Sequence, residues 1–385
     1  MTGVQKRMDA VASQNDVTGE VSSDARKNLA FEDPVDWSMA VRVAGKLAGS
    51  DEFATSYHAH SLQPDFDELT AEAEELVAQA TGLRSLAGPA RARVATRQDW
   101  VAANVASFQR LFRPMTERFG QKLTGPLAPA ARAFAGAEVG ALLGWMSKRV
   151  LGQYDLLISP DERPEDQDIV YYVGANVLAL EKRFAFPPRE FRLWLALHEV
   201  THRAQFTGVP WMREHYLALV ETTLAAADPD PKRFLEAIKR ATSEVRAGRN
   251  PLEDGGIVAL LANPEQRLAL DSVGGLLSLL EGHGDVTMDR AGGERVPSAG
   301  RFSRVLNQRR QESKGFNKAV RELLGLEAKM RQYEQGEKFI AHVELQRSSA
   351  FLDAVWEGAD RLPTLGEIRD PAAWISRMDA LHVVR

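Results

Sequence analysis

The segment FRLWLALHEVTH, Phe191 to His202, constrains this chain more than any other. Its apolar residues recur at helical spacing, yet it carries two histidines four apart with a glutamate beside the first. Residues i and i+4 project from one helix face, about a turn apart. Two imidazole nitrogens so placed can reach one ion at roughly 2.0–2.1 Å each. A packed core gains little from two imidazoles and a carboxylate in a single turn, because unpaired polar groups are costly to bury. The bland alternative is a helix with two hydrogen-bonded core histidines. The sharper one is a buried helix whose polar stripe closes on a metal.

The pattern His198-Glu199-Val200-Thr201-His202 is HExxH. Glu199 sits one step round the helix, placed to reach a water on the open side of the ion rather than to ligate. Cysteine is absent, so the ion is held by His, Asp and Glu alone. Two histidines leave a catalytic zinc one protein ligand short. The string after the motif, RAQFTGVPW, has no histidine, which excludes HExxHxxGxxH. The next candidate is LLSLLEGHGDVTMD, Leu276 to Asp289, where Glu281 and Asp285 are again i and i+4. Glu281 is the expected third ligand, and Asp285 the expected hydrogen-bond partner that fixes the tautomer of His198 or His202. His283 is the rival ligand; it lies about 200° round the helix from Glu281, so one of the two faces the ion. Both lining a polar groove is the remaining alternative. The flanking Gly282 and Gly284 remove side chains where helices would approach.

The rest of the chain reads as mostly helical. Helices are expected over Val35–Ala48 with Asp36 as cap, Pro64–Thr81, Arg97–Phe119, and Leu127–Gly152, the last apolar nearly all round and rich in Ala and Gly. Pro187 and Pro188 suit the start of the motif helix, and Gly208 with Pro210 its end. Further helices are expected over Trp211–Ala227, about Pro231–Ala247, Asn263–Asp289, Gly300–Leu324 and Gln335–Ala359, with a loop at Ala291–Gly300. Strand signals are confined to QYDLLIS (Gln153–Ser159) and DIVYYVGANVLAL (Asp168–Leu180), read as a hairpin or two neighbouring strands. Gly174 and Asn176 mark where extended chain gives way to a turn. Too little strand is present for a βαβ fold, and no glycine-rich phosphate loop follows a strand.

Composition bounds the remaining classes. Of 385 residues, 44% are hydrophobic and 26% charged, with a net charge of −5. That is an ordinary globular balance and not that of a nucleic-acid binder. The run RFSRVLNQRRQESKGFNK, Arg301 to Lys318, is locally basic; a solvated helix face competes there with a nucleic-acid surface. No apolar run reaches the roughly 18 residues of a membrane span. Residues 1–30 read as a disordered polar tail without the apolar block of a signal peptide, so a cytoplasmic location is expected. Residues 31–150 read as an N-terminal helical region and 151–385 as the metal-bearing region with C-terminal helices, the two forming one compact unit. Among the other histidines, His58 and His60 in YHAHS read as solvated, and His215 as lining the cleft or packing with Trp211.

The stretches LWLALHEVTHRAQFTGVPWMREH, LLEGHGDVTMD, YYVGANV, LGLEAKMRQYEQGEKF and LPTLGEIRDPAAWISR resemble the zincin-like metallopeptidase type 2 family, over about Val35 to Arg377. The opening VDWSMAVRVAGKLAG is similar to an actinobacterial subgroup labelled as associated with biosynthesis of the deazaflavin coenzyme. The resemblance implies a zincin core embedded in a helical shell, a zinc-dependent hydrolase, His198 and His202 as zinc ligands, Glu199 as catalytic base, and less directly Glu281 as third ligand. The resemblance supplies no particular substrate; a peptide or protein is the expected partner of such a site. His283 or Tyr333 is the expected second donor to a tetrahedral oxyanion. VYYVGANV is expected either to hold an extended peptide as an edge strand or to be an ordinary core strand. A zinc protein without turnover, and an accessory role in coenzyme synthesis, are the competing functions.

Overall fold

A computed structural model describes residues 33–50, 57–119, 126, 128–156, 167–224, 264–312 and 326–383, with backbone alone at 59, 114–119, 309–312, 326–334 and 382–383. The expected tail at 1–30, the expected helix near 231–247, the basic run beyond residue 312 and the side chain of Tyr333 lie outside the described residues.

The described chain is helical around a three-stranded sheet. Helix α1 (Trp37–Ala48) starts where expected, with the Asp36 carboxylate accepting from Met39 N at 2.9 Å. Helix α2 runs Tyr57–Thr81, continuing through Pro64, and its first turn carries the exposed His58 and His60. After strand β1 (Arg91–Ala95) come α3 (Arg97–Phe119) and α4 (Ala128–Met146). The small residues of α4 serve a close crossing with α1. A Cβ at Gly136 would stand 2.2 Å from Asp36 O, and one at Gly140 2.4 Å from Ala40 O. Any larger side chain there would force the two helices apart.

Strands β2 (Gly152–Tyr154) and β3 (Ile169–Val173) pair antiparallel, as neighbouring strands were expected to. β1 pairs with β3 in parallel, giving the order β1-β3-β2. The parallel pair needs a long crossover, which α3 and α4 supply. The sheet also joins the two expected regions: β1 lies before residue 150 and its partners after it.

Two expectations fail here. The apolar run from Asp168 to Leu180 is extended only as far as Val173; helix α5 follows directly at Gly174–Phe184. A continuous apolar run does not distinguish a buried strand from a buried helix, and Ala, Leu, Glu and Lys then favour the helix. Asn176 is no turn residue: its amide donates to Ser147 O and Val150 O, both at 2.7 Å, tying α5 to the chain before β2. Second, β3 is the central strand with a partner on each side, so it cannot be the edge that takes up a peptide.

Helix α6 (Pro188–Gly208) carries the motif, with Pro188 in its first turn. Thirteen of its 21 residues are buried, so it is a core helix despite its charge. Its N-terminal half sits in an aromatic nest: Phe191 meets Phe186 at 4.9 Å and Phe302 at 5.2 Å between ring centroids. Helix α2 packs on it, and Phe66 of α2 stacks on Tyr172 of β3 at 3.8 Å. Helix α7 (Met212–Leu224) follows, then α8 (Pro264–Gly292). α8 runs past the expected loop start, leaving only residues 296–298 between a short 3₁₀ turn and α9 (Ala299–Glu312).

Helix α10 (Leu326–Gln346) crosses α8 closely: a Cβ at Gly336 would stand 1.9 Å from Ser278 O, and one at Gly282 would meet the Gly336 carbonyl carbon at 2.3 Å. The expected single helix to Ala359 breaks after Gln346, and Ser348 caps the short α11 (Ser349–Leu352). Thr364 and Glu367 form a capping box on α12 (Leu365–Arg369), and α13 (Pro371–Val383) ends the described chain with Trp374 buried. No described helix is long and apolar enough to cross a membrane.

Candidate metal centre

Helices α6 and α8 cross with the motif face of one against the Glu281 face of the other. His198 Nε2 and His202 Nε2 are 3.2 Å apart. Glu281 Oε2 lies 3.9 Å from the first and 3.6 Å from the second. These three are the one metal-competent group among the described residues, with all donor atoms within 4.8 Å of one another. Two ligand atoms on one tetrahedral zinc stand about 3.3–3.4 Å apart, given bonds of roughly 2.0–2.2 Å. The imidazoles already meet that separation, and the carboxylate needs a few tenths of an ångström. The donor set His₂Glu also suits zinc, and leaves a fourth position for water or substrate.

Of the two glycines beside Glu281, Gly282 serves the close crossing with α10. A Cβ on Gly284, by contrast, would lie 3.5 Å from His202 Cε1 and 3.6 Å from His198 Nδ1, an ordinary contact, so the approach of α8 to α6 does not depend on glycine there.

Glu199 is buried beside the cluster and turned toward β2. Val173 N donates to Leu151 O and Asp155 N to Ile169 O, each at 2.9 Å, so the odd-numbered residues of β2 face β3. The N–H of Tyr154 therefore points the other way, and it donates to Glu199 Oε2 at 3.1 Å. Gly152 is required next to it: a Cβ there would stand 2.6 Å from Glu199 Oε1. Burial raises the Glu199 carboxyl to about 7, helped by the charge of Glu281 and opposed by His202 and the Tyr154 N–H. For His202, burial works against the charged form, but the hydrogen bond and charge of Glu281, with the charge of Glu199, outweigh it and raise the imidazole to about 9. His198, His202 and Glu281 are placed so that they could hold a cation between them, with the Glu199 carboxylate alongside.

His283 points away from that cation position. Its ring is buried, edge-on to Trp356 at 4.9 Å, and its Nδ1 lies 2.9 Å from Gln205 Nε2. Burial lowers it to about 3, which keeps it neutral. It is therefore packed behind the ligands rather than set in an open cleft. His215 meets Trp211 edge-on at 5.9 Å between centroids, as the packing alternative foresaw.

Three contributors escape a reading of sequence alone. Gln205 accepts from the His202 imidazole, Oε1 to Nδ1 at 2.9 Å, and so holds the place expected of Asp285 on that ring. Its signal was present: it is three residues after His202 and seven after His198, on the same face. The Tyr154 amide had no signal, since any residue supplies one. The third is a buried ion cluster behind the motif. Arg203, 1% exposed, grips Asp168 with both ends of its fork (Nε–Oδ1 3.0 Å, Nη2–Oδ2 2.7 Å). It also donates to Glu74 at 2.7 Å and Gly88 O at 2.8 Å. Tyr154 OH donates to Asp168 Oδ1 at 3.1 Å; burial and that carboxylate push the phenol up, so it stays a donor. Arg203 thus braces the entry to β3, and through Tyr154 OH the end of β2, from the same helix that presents Glu199.

The comparisons agree with this geometry. Residues 35–375 match the model of the zincin-like metallopeptidase family. The chain belongs to that family. A solved structure, described as that of a candidate hydrolase with a novel fold from Chloroflexus aurantiacus, matches the zincin-like chain at 29% identity and a TM-score of 0.66. The match covers 90% of this chain and 99% of the other. No curated protein matches.

Proposed function

We propose that this zincin-like protein is a zinc-dependent peptidase, with His198, His202 and Glu281 as ligands and Glu199 as general base. The observation that carries the reading is the convergence of three zinc-type donors from two helices beside a buried carboxylate that does not ligate. Partial exposure favours turnover over a closed structural ion. The His198 and Glu281 side chains are 24% and 22% exposed, which leaves the open side that a catalytic zinc needs. When bound, zinc supplies Lewis-acid chemistry: it polarises a carbonyl and makes water a better nucleophile near neutral pH.

Glu199 then takes a proton from the attacking water as oxygen bonds to the amide carbon. It passes that proton to the nitrogen as the C–N bond breaks, giving an acid and an amine. Tyr154 N holds one oxygen of Glu199, so the other is the one that moves the proton. Asp285 is left His198 as the imidazole to orient once the site is loaded. The deazaflavin association assigns no residue a task, and the site chemistry is that of hydrolysis.

The test is Glu199→Gln, assayed on a peptide that the wild-type protein cleaves, found by mass spectrometry of a digested peptide library. The variant is expected to keep its zinc and to lose roughly 10²–10⁴-fold in turnover. Full activity in the variant would remove Glu199 from the role of base.

A further inference from the structure

Gln205 is fully buried on α6, and its amide has three partners. Nε2 donates to Leu280 O at 3.0 Å. A backbone carbonyl only accepts, so this bond fixes which end of the amide is nitrogen. Oε1 is then the atom 2.9 Å from His202 Nδ1, and an oxygen there requires an N–H on the ring. Nδ1 of His202 therefore carries a proton, which leaves Nε2, the atom beside Glu281, as the ring nitrogen that can give a lone pair to a cation. The second hydrogen of Gln205 Nε2 goes to His283 Nδ1 at 2.9 Å, which places that ring's proton on Nε2. The same amide also joins the two ligand-bearing helices. Leu280 is the residue before Glu281, and His283 is two residues after it.

We propose that Gln205 is the positioning residue of the metal centre: it sets the tautomer of His202 and locks the register of α8 against α6, so that Glu281 meets both imidazoles. The inference rests on the reading of His198, His202 and Glu281 as zinc ligands. A glutamate at 205 would keep the acceptor but lose both donors, and methionine would fill the space with neither. His283 serves here as an acceptor anchoring the amide, which gives this buried ring a task other than ligation.

The test measures zinc affinity by competition with a chelator, and ring protonation by ¹⁵N NMR of histidine-labelled, zinc-loaded protein. Gln205→Met is expected to keep the native circular dichroism spectrum and to lose on the order of 10–100-fold in zinc affinity. His198→Ala is the control for the ligand set. If Gln205→Met binds zinc as tightly as wild type while His198→Ala does not, Gln205 only fills space and the inference fails, but the metal site stands. If His198→Ala also binds as tightly, the ligand assignment itself fails. Should Gln205→Met not fold, the wild-type spectrum decides: zinc on His202 Nε2 with a proton on Nδ1 is expected, and the reverse overturns the proposal.

Discussion

Asp168→Asn isolates the charge that braces the motif helix. Asp168 sits at φ +54°, a left-handed conformation that Asn also tolerates, so the exchange adds little backbone cost. Its side chain faces a guanidinium that is 1% exposed. Asn keeps one acceptor oxygen and turns an NH₂ toward the second Arg203 nitrogen, donor against donor. One charge-assisted bond is lost, about 1.5–3 kcal/mol, and a buried cation loses one of its two counter-ions. Removing one partner of a buried pair costs about 3–5 kcal/mol; Glu74, still bonded to Arg203, holds the expected loss near the lower bound of about 3. Urea unfolding should show a lower midpoint at unchanged slope. Asp168→Ala should be worse by roughly 1–2 kcal/mol, because alanine adds the left-handed strain. A loss below about 1 kcal/mol in Asp168→Asn would refute the claim that this ion pair holds the entry to β3 to the motif helix.

Gly152→Ala tests the seat of Glu199 without touching a ligand. Its Cβ would stand 2.6 Å from Glu199 Oε1, against an ordinary contact of 3.4 Å, so the carboxylate must move by just under 1 Å. A displacement near 1 Å costs about 10²-fold in turnover, while zinc content should not change; unaltered turnover would show that this oxygen is not held for catalysis. Glu367 tests pH linkage away from the centre. Burial raises its carboxyl, but hydrogen bonds from Arg377 and the Thr364 N–H outweigh that and hold it below 4.5. A depressed folded pKa contributes stability above the unfolded value and loses it as pH falls through the folded one. The stability gap between wild type and Glu367→Gln should therefore close as the medium is acidified below 4.5, and a gap that stays constant would count against the ion pair.

The motif helix was legible because its period, its proline start and its paired histidines all point the same way. Asp36 as a cap follows from an equally local rule, whereas Glu281 is singled out by its ExxxD spacing and by the resemblance, with His283 as rival. What sequence did not carry is decided by partners far along the chain. β1 is RARVA, whose alternation of Arg with Ala and Val is too short to announce a strand, and it is one because Ile169–Val173 pairs with it. The helix at Gly174–Phe184 looked like more strand because both are apolar when buried. Asp168 and Arg203 are 35 residues apart, and nothing local announces that they meet. Gln205 lay in plain view on the right face, three residues after His202; its place was legible, while its partners on α8 were not.

Zinc content of the untagged protein by elemental analysis, alongside His198→Ala and Glu281→Ala, tests the central claim most directly. About one zinc per chain is expected in the wild type, lost in His198→Ala and released to a weaker chelator in Glu281→Ala. A wild-type chain that takes up no zinc on reconstitution, or one whose zinc survives both substitutions unchanged, would contradict the three-ligand centre.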